Sequence, residues 1–435
     1  MKIALVHNTY QWPGGEDVIV EQERDLLRSA GHQVLEYRRS NHEIGNGALV
    51  RQIALAQRAV WSSGTFQEFR ALLRQEKPDV VHVHNTFVMI SPSIYWACAE
   101  ESVPVVQTLH NFRLFCPPSN FLRDGRICEE CVEHSLLRGV AYGCYHGSRI
   151  ATGAAALVLA THRWVGTWAH KIDCYIAVSQ FARRKFEHAG LPPEKLVVKP
   201  HFVYPDPGPR SCPGDYAIFV GRFTSEKGLP TLLNAWKRIN TSVPLVIVGD
   251  GPLRESLEAQ AAQMNNSRVI FRGHLSRDAT LAAVKRAKIL FCASECYEQG
   301  PATVLEAFAC GVPVIAPSLG PIDEVVDDGR TGLLFRAGDP VHLAEKIGWA
   351  LSHDERLQSM GKSARAKFEA SFSAIKNYTR LMEIYERVII GRGRAIDPRS
   401  PLDEVYYAPR EIASATFIGA KERASVRTRK ESHAP

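Results

Sequence analysis

The chain has 435 residues, 45% hydrophobic and 23% charged, which fits two or three globular domains and excludes a disordered or fibrous protein. Lys and Arg outnumber Asp and Glu by 53 to 46, giving a net charge of +7. That excess suits an anionic ligand or membrane surface, but it is too dispersed for a nucleic-acid binder.

Only residues 3–6 are apolar before His7. An export signal needs a run of about 7–15, so export is not expected. The most apolar stretch, 153–160, stops at His162 and Arg163, short of the ~20 residues of a membrane helix. Ten cysteines without an export signal are expected as mostly reduced thiols in a cytoplasmic protein.

In chain order, 3–6, 80–83, 105–109 and 175–178 read as buried strands separated by amphipathic helical stretches, the first over 16–30 and stopped by Gly31. Segments around 49–61 and 70–74 read as basic amphipathic helices. Arg51, Arg58, Arg70 and Arg74 alternate there with Leu49, Ile53, Leu55, Val60, Trp61 and Leu72. They suit either an anionic bilayer or an ordinary solvated face. Prolines 200, 205, 207, 209 and 213 mark a linker. Strands follow at 216–220, 245–248, 269–271, 289–291 and 312–315, and helices at 341–351, 355–370 and 375–390. Continuous apolar strands between helices predict two doubly wound parallel-sheet α/β domains, at 1–200 and 216–374, joined by the 201–215 linker. After the 375–390 helix, the aperiodic 391–435 tail is expected to be disordered.

Chemistry concentrates in the second half. The strand 216–220 runs into Gly221-Arg222-Phe223-Thr224-Ser225-Glu226-Lys227-Gly228, which places two cations at the carboxyl edge of a parallel sheet. Arg222 offers a planar fork and Lys227 a mobile point charge, a pairing suited to a diphosphate. Glu298, Gln299 and Gly300 then lead into a helix with Pro301 at its start. The first-turn N–H groups of that helix attract a phosphate. Glu306 can accept hydrogen bonds from vicinal sugar hydroxyls, or Thr303 and Glu306 can form a capping box with no ligand.

Elsewhere, Gly14-Gly15-Glu16 forms a turn that lets a ligand approach the backbone, and His110 follows a strand end. His82 and His84 share one strand face with no third ligand evident. No G-x-G-x-x-G fingerprint follows a strand, which disfavours a nicotinamide oxidoreductase. Cys116, Cys128, Cys131 and Cys144 form a C-x11-C-x2-C-x12-C set in a loop-rich segment. Four thiolates can build a structural zinc site, although this spacing departs from a paired zinc ribbon; buried reduced thiols are the other reading.

The loop 221–228, the pair Glu298 and Glu306 followed by 307–316, and the later 325–335 segment resemble the retaining glycosyltransferases of family 4. The resemblance spans residues 1 to about 390 and implies the two-domain GT-B fold. It further implies a nucleotide-diphosphate sugar donor and a glycan or lipid-linked acceptor, in a bacterial surface polysaccharide or lipopolysaccharide pathway. On this resemblance, Arg222 and Lys227 neutralise the diphosphate, and Gly14 and Gly15 approach it across the cleft. Glu306 holds the ribose, while Arg272, Gly273, His274 and Leu275 meet the base. Glu298 with Gly300, Pro301, Ala302, Thr303 and Val304 holds the sugar, which His110 also contacts. Glu16, Asn85 and Thr86 are placed towards the acceptor, and the 375–390 helix crosses back to the first domain.

No Asp-x-Asp tripeptide is present, and no cofactor is expected for catalysis because protein cations replace a metal. A nucleotide-sugar epimerase of the same fold and a non-catalytic nucleotide-sugar binding scaffold are the alternatives. Peripheral contact with the inner face of the cell membrane is left open, and no nucleic-acid partner is expected.

Overall fold

The computed structural model describes residues 1–11, 14–44, 49–264 and 268–391. The disorder expected of the tail concerns residues 392–435, which lie outside the described residues, as do Trp12, Pro13 and the side chains of Leu49, Arg51 and Ile53. The first sheet comprises β1 (Lys2–Thr9), β2 (Gln33–Ser40), β3 (Val80–Asn85) and β4 (Val105–Leu109). After a hairpin of β5 (Leu122–Arg123) and β6 (Arg126–Ile127), β7 (Cys174–Ala177) and β8 (Leu196–Val198) complete it. Its order is β2-β1-β3-β4-β7-β8, parallel throughout. The second sheet holds β9 (Tyr216–Val220), β10 (Leu245–Val248), β11 (Val269–Gly273), β12 (Ala287–Phe291), β13 (Val314–Pro317) and β14 (Gly332–Phe335). It is also parallel, in the order β11-β10-β9-β12-β13-β14.

Around the first sheet run α1 (Gly15–Ser29), α2 (Leu49–Val60), α3 (Ser63–Glu76), α4 (Ser93–Glu100), α5 (Glu130–Glu133), α6 (Leu136–Tyr142), α7 (Arg149–Trp164), α8 (Thr167–His170) and α9 (Gln180–His188). The second carries α10 (Leu229–Trp236), α11 (Arg254–Ala262), α12 (Arg277–Lys285), α13 (Ala302–Ala309), α14 (Ile322–Val325), α15 (Pro340–Leu351) and α16 (Asp354–Ser371), and α17 (Ala374–Ile390) follows. Local chemistry sets many starts. Ser62, Ser148, Ser179 and Ser276 each accept a first-turn N–H with their hydroxyls. Asp339 accepts two, with Pro340 in the first helical position of α15.

Strand alternation supplies two apolar faces per sheet. On β1, Ala4 and Val6 join one core while Ile3 and Leu5 join the other. On β9, Ile218 faces one way and Ala217 and Phe219 the other. In both sheets the winding reverses, between β1 and β3 and between β9 and β12, and ligands bind outside such switch points. The strand expected at 312–315 instead occupies Val314–Pro317. Gly311 (φ +68) turns the chain out of α13, and Pro313 has no N–H for the ladder.

Helix α17 leaves the second domain and covers the first, where Leu381, Ile384, Tyr385 and Val388 pack on Ile3, Leu5 and Val106. A buried charge network ties it down. Lys199 donates to Glu23 (3.0 Å) and to Asn377 of α17 (3.1 Å), and Tyr385 shares a hydrogen bond with His82 (2.7 Å). Burial pushes the Glu23 carboxyl up, but Lys199 and His82 outweigh it and hold the pKa well below the ordinary range. The basic face expected on α3 is largely neutralised, because Arg70 pairs with Glu100 and Glu101, and Arg74 with Glu101.

Lys199→Met strips the buried Glu23 carboxylate of its ammonium partner and should cost about 3–5 kcal/mol. Urea unfolding measures this. The double variant Glu23→Leu/Lys199→Met should recover part of the loss.

Candidate active site

The carboxyl ends of both sheets open onto one cleft, a cavity of about 1210 Å³. From β9 the chain enters Gly221–Thr224, where Phe223 is fully buried and anchors the loop, and then a 3-10 turn over Ser225–Lys227. Gly228 ends this turn at φ +63, and a Cβ there would stand 1.9 Å from the Ala293 carbonyl oxygen. Only glycine lets the loops after β9 and β12 lie this close. Lys227 is thereby brought to Glu298, Nζ to Oε1 at 2.5 Å. Ser294 also donates to that oxygen at 2.5 Å.

Burial raises the Glu298 carboxyl, but Lys227 and the hydrogen bonds from Lys227 and Ser294 outweigh it and hold the pKa below the usual value. Burial likewise lowers Lys227, and Glu298 more than compensates. Both groups are charged at neutral pH. Arg222 is held loosely, 3.9 Å from Glu226 with its side chain 44% exposed, so its guanidinium is available to a ligand. Gly300 packs against His201 so closely that a Cβ would lie 2.1 Å from the ring.

The opposite wall is the start of α1. A Cβ on Gly14 would sit 3.9 Å from Arg222 Cζ, and one on Gly15 would sit 3.5 Å from Ala302 Cβ. Two helix N-termini, of α1 and α13, therefore converge beside Arg222 and Lys227. Their dipoles and free first-turn amides add to the positive potential. Glu16 lines the same cleft, and Tyr10 and Asn111 both donate to its Oε2 (3.2 Å each). Burial raises its carboxyl to about 7.

His110 lines the cleft and shares a hydrogen bond with His84 (2.9 Å), its ring stacked on His201 at 5.1 Å. Burial lowers His84 and His201 to about 3, and neighbouring imidazoles add to this at His84. Burial and the adjacent His201 hold His110 well below its ordinary value. All three are neutral rings at physiological pH. His110 Nδ1 is buried and has no hydrogen-bond partner among the described residues.

The cleft gathers Gly14, Gly15, Glu16, His110, Arg222, Lys227, His274, Leu275, Glu298, Gly300, Pro301, Ala302 and Thr303. It does not gather the rest of the expected set. Arg272 and Gly273 stay outside the lining, with Arg272 exposed on the strand end. Val304 is fully buried in the core. Asn85 and Thr86 are also absent from the lining: the Asn85 amide is spent within the scaffold, donating to Asn8 O and accepting from Phe87 N.

Glu306 does not line the cleft either. The helix cap is Pro301, so Thr303 lies inside the first turn and the capping box does not form. The Glu306 carboxylate stands 3.8 Å from Arg277 Nε, and burial pushes its pKa to about 7 despite that cation.

His82 and His84 do acquire a third neighbour, Glu23, and among the described residues this is the group whose donor atoms lie within 4.8 Å of one another. The Lys199 ammonium already balances that carboxylate. Cys116, Cys128, Cys131 and Cys144 gather within electrostatic reach of one another. No three of their sulfurs meet the same 4.8 Å criterion, and all four are free thiols.

Sequence reading missed the far wall. Leu55, Ala56 and Ala59 of α2 and Ala154, Ala155 and Val158 of α7 make an apolar slot there. Arg113 lines the same cavity, 4.5 Å over Phe87 and 5.1 Å from Tyr145. Ser294 and His201 were missed as well, although Ser294 lies only four residues before Glu298.

Two Rossmann-like domains facing each other with opposed switch points define the GT-B fold. The N-terminal half matches the family described as Glycosyltransferase Family 4 over residues 13–206, and the C-terminal half matches Glycosyl transferases group 1 over 213–367. The chain belongs to the family 4 type of glycosyltransferases. It is 32% identical over 40% of its length to an uncharacterized glycosyltransferase of Methanocaldococcus jannaschii, and spans about half (49%) of that protein. It is 23% identical to the N-acetyl-alpha-D-glucosaminyl L-malate synthase of Bacillus anthracis, covering 89% of this chain and 98% of that one. Anabaena HepE, solved in complex with UDP-glucose, shares the fold with a TM-score of 0.64 at 18% identity, over 89% of this chain and 99% of HepE.

The raised Glu306 pKa has a stability consequence. Its proton is held by the folded chain up to about 7 and released by the unfolded chain near 4.3. Stability should therefore fall as pH rises between those values. Glu306→Gln should flatten that fall, measured as urea midpoints at about pH 5 and about pH 8.

Proposed function

We propose that the protein is a retaining, metal-independent glycosyltransferase that moves a sugar from a nucleotide-diphosphate donor to a glycan or lipid-linked acceptor in bacterial surface polysaccharide synthesis. The observation that carries this reading is the Lys227–Glu298 pair lying between two helix N-termini at opposed switch points. A diphosphate entering there meets Arg222, Lys227 and the first turns of α1 and α13. It draws Lys227 from Glu298, and the freed carboxylate accepts hydrogen bonds from the donor sugar. The base stacks near His274 and Leu275. Glu306 turns from Arg277 towards the ribose.

Breaking the bond from the anomeric carbon to the diphosphate oxygen leaves positive charge on the sugar and negative charge on the phosphate. Preorganised cations and helix dipoles stabilise that leaving group by several kcal/mol, the part a metal plays in other transferases. The acceptor hydroxyl attacks from the face the phosphate leaves, and its proton passes to the departing phosphate oxygen. The configuration is retained. Glu298 positions the sugar and makes no covalent bond, His110 contacts the sugar through Nδ1, and Glu16 meets the acceptor.

UDP-glucose, the ligand named for HepE, is the first donor to test. Lys227→Ala should weaken UDP binding by about 10–150-fold, the worth of one charge-assisted hydrogen bond, as read by calorimetry. Undiminished affinity with full turnover would contradict the phosphate role.

A further inference from the structure

Helix α7 has apolar residues on two faces. Ala154, Ala155 and Val158 look into the cleft. On another face Ile150, Leu157 and Trp164 are 75%, 56% and 87% exposed. Their spacing of seven places them in one stripe along the helix, drifting by only ~20° per step. The preceding helix α6, which packs on α7, also exposes an apolar side chain, Leu137 at 73%. Isolated exposed apolar side chains are ordinary, but a contiguous stripe of this kind marks an interaction surface.

The charge of this region identifies what covers it. From His134 to Ile172 the chain contains no Asp or Glu, yet it carries Arg138, Arg149, Arg163 and Lys171. A chain with 46 acids in 435 residues would place several in such a length. Arg149 and Arg163 are exposed on α7, and Arg138 is exposed on α6, where it stands 3.8 Å from Glu130. The Lys171 ammonium lies 4.3 Å over Trp96, whose ring meets the half-exposed Trp61. Apolar side chains bordered by cations and tryptophans, on two helices that carry no acid, complement an anionic lipid surface. No helix among the described residues is long and apolar enough to cross a membrane, so contact here is from one side.

We propose that α6 and α7 dock on an anionic bilayer, and that the acceptor is a lipid whose head group enters the cleft past Ile150. Ile150 is the joint of this arrangement, since it is exposed on the stripe and also lines the cavity. The apolar residues of α2 and α7 and Arg113 line that same cavity, so an anionic head group entering it meets a cation. The docking surface stands on its own observations, whereas the acceptor's entry rests on the transferase reading above.

Flotation of the full chain with vesicles of phosphatidylcholine, alone or with phosphatidylglycerol, tests the docking. Binding is expected only with the anionic lipid. Leu157→Glu/Trp164→Glu should lower it by roughly tenfold or more, from the apolar area withdrawn. Arg149→Glu/Arg163→Glu should lower it similarly, and unchanged melting temperatures would show that both variants fold. Failure to float, equal binding to both vesicle types, or full binding by the folded variants overturns the proposal. So does a concentration-dependent dimer that Trp164→Glu abolishes, because a second copy would then be what covers the stripe. UDP binding by the same variants should be unchanged. If wild-type chain floats but binds no nucleotide sugar, the transferase reading fails while the docking surface stands.

Discussion

The cleft depends on one electrostatic constraint: positive potential gathers there from two helix N-termini, Arg222 and Lys227, and the Glu298 carboxylate meets it at Lys227 while Glu226 stands 3.9 Å from Arg222. Parallel sheets make this unavoidable. Every crossover helix begins at the carboxyl edge, so two such sheets facing one another aim helix dipoles into the same space. An unfilled site of that kind would hold a cation unpaired in a partly dry cavity, which is costly. Glu298 relieves the cost at 2.5 Å from Lys227, and Ser294 shares the load. On the proposed function, an entering diphosphate would take over the same task with two charges and so displace the internal partner.

Domain placement rests on a second buried pair. Glu23 of α1 and Lys199, just beyond β8, meet at 3.0 Å, and Asn377 and Tyr385 of α17 bind the same cluster. Because α17 follows the second domain in sequence, this network fixes its return to the first. From it a row of rings, His82, His84, His110 and His201, leads to the cleft and ends against Gly300. The rings of His84, His110 and His201 stay uncharged, and His84 orients His110 through their 2.9 Å hydrogen bond without adding positive charge to the cleft.

Strands with both faces buried were legible because apolar residues dominate them, as at 216–220 and 245–248. Edge strands were not. Gln33–Ser40 carries Glu36, Arg38 and Arg39 because one side is open, and Leu196–Val198 is too short to declare a period. The motif residues Arg222, Lys227 and Glu298 were readable because turn glycines mark where a sheet edge meets a ligand. Asn85 and Glu306 have the right chemistry and local position, yet their partners, Asn8 and the Phe87 N–H for Asn85 and Arg277 for Glu306, could not be read from the sequence. The Glu23–Lys199 pair spans 176 residues and could only be seen once the fold brought it together. The lone stretch 153–160 read as apolar and too short to span a membrane; its two-faced use in α7 needed the cleft to be seen.

The central claim is that Glu298 holds Lys227 for the donor and gives it up. Calorimetric UDP binding to Glu298→Gln tests it most directly. With the internal competitor neutralised, UDP should bind about tenfold tighter, near 1.4 kcal/mol, while sugar transfer slows because the donor sugar loses its acceptor carboxylate. Unchanged or weaker UDP binding, in a variant that melts like the wild type, would contradict the account.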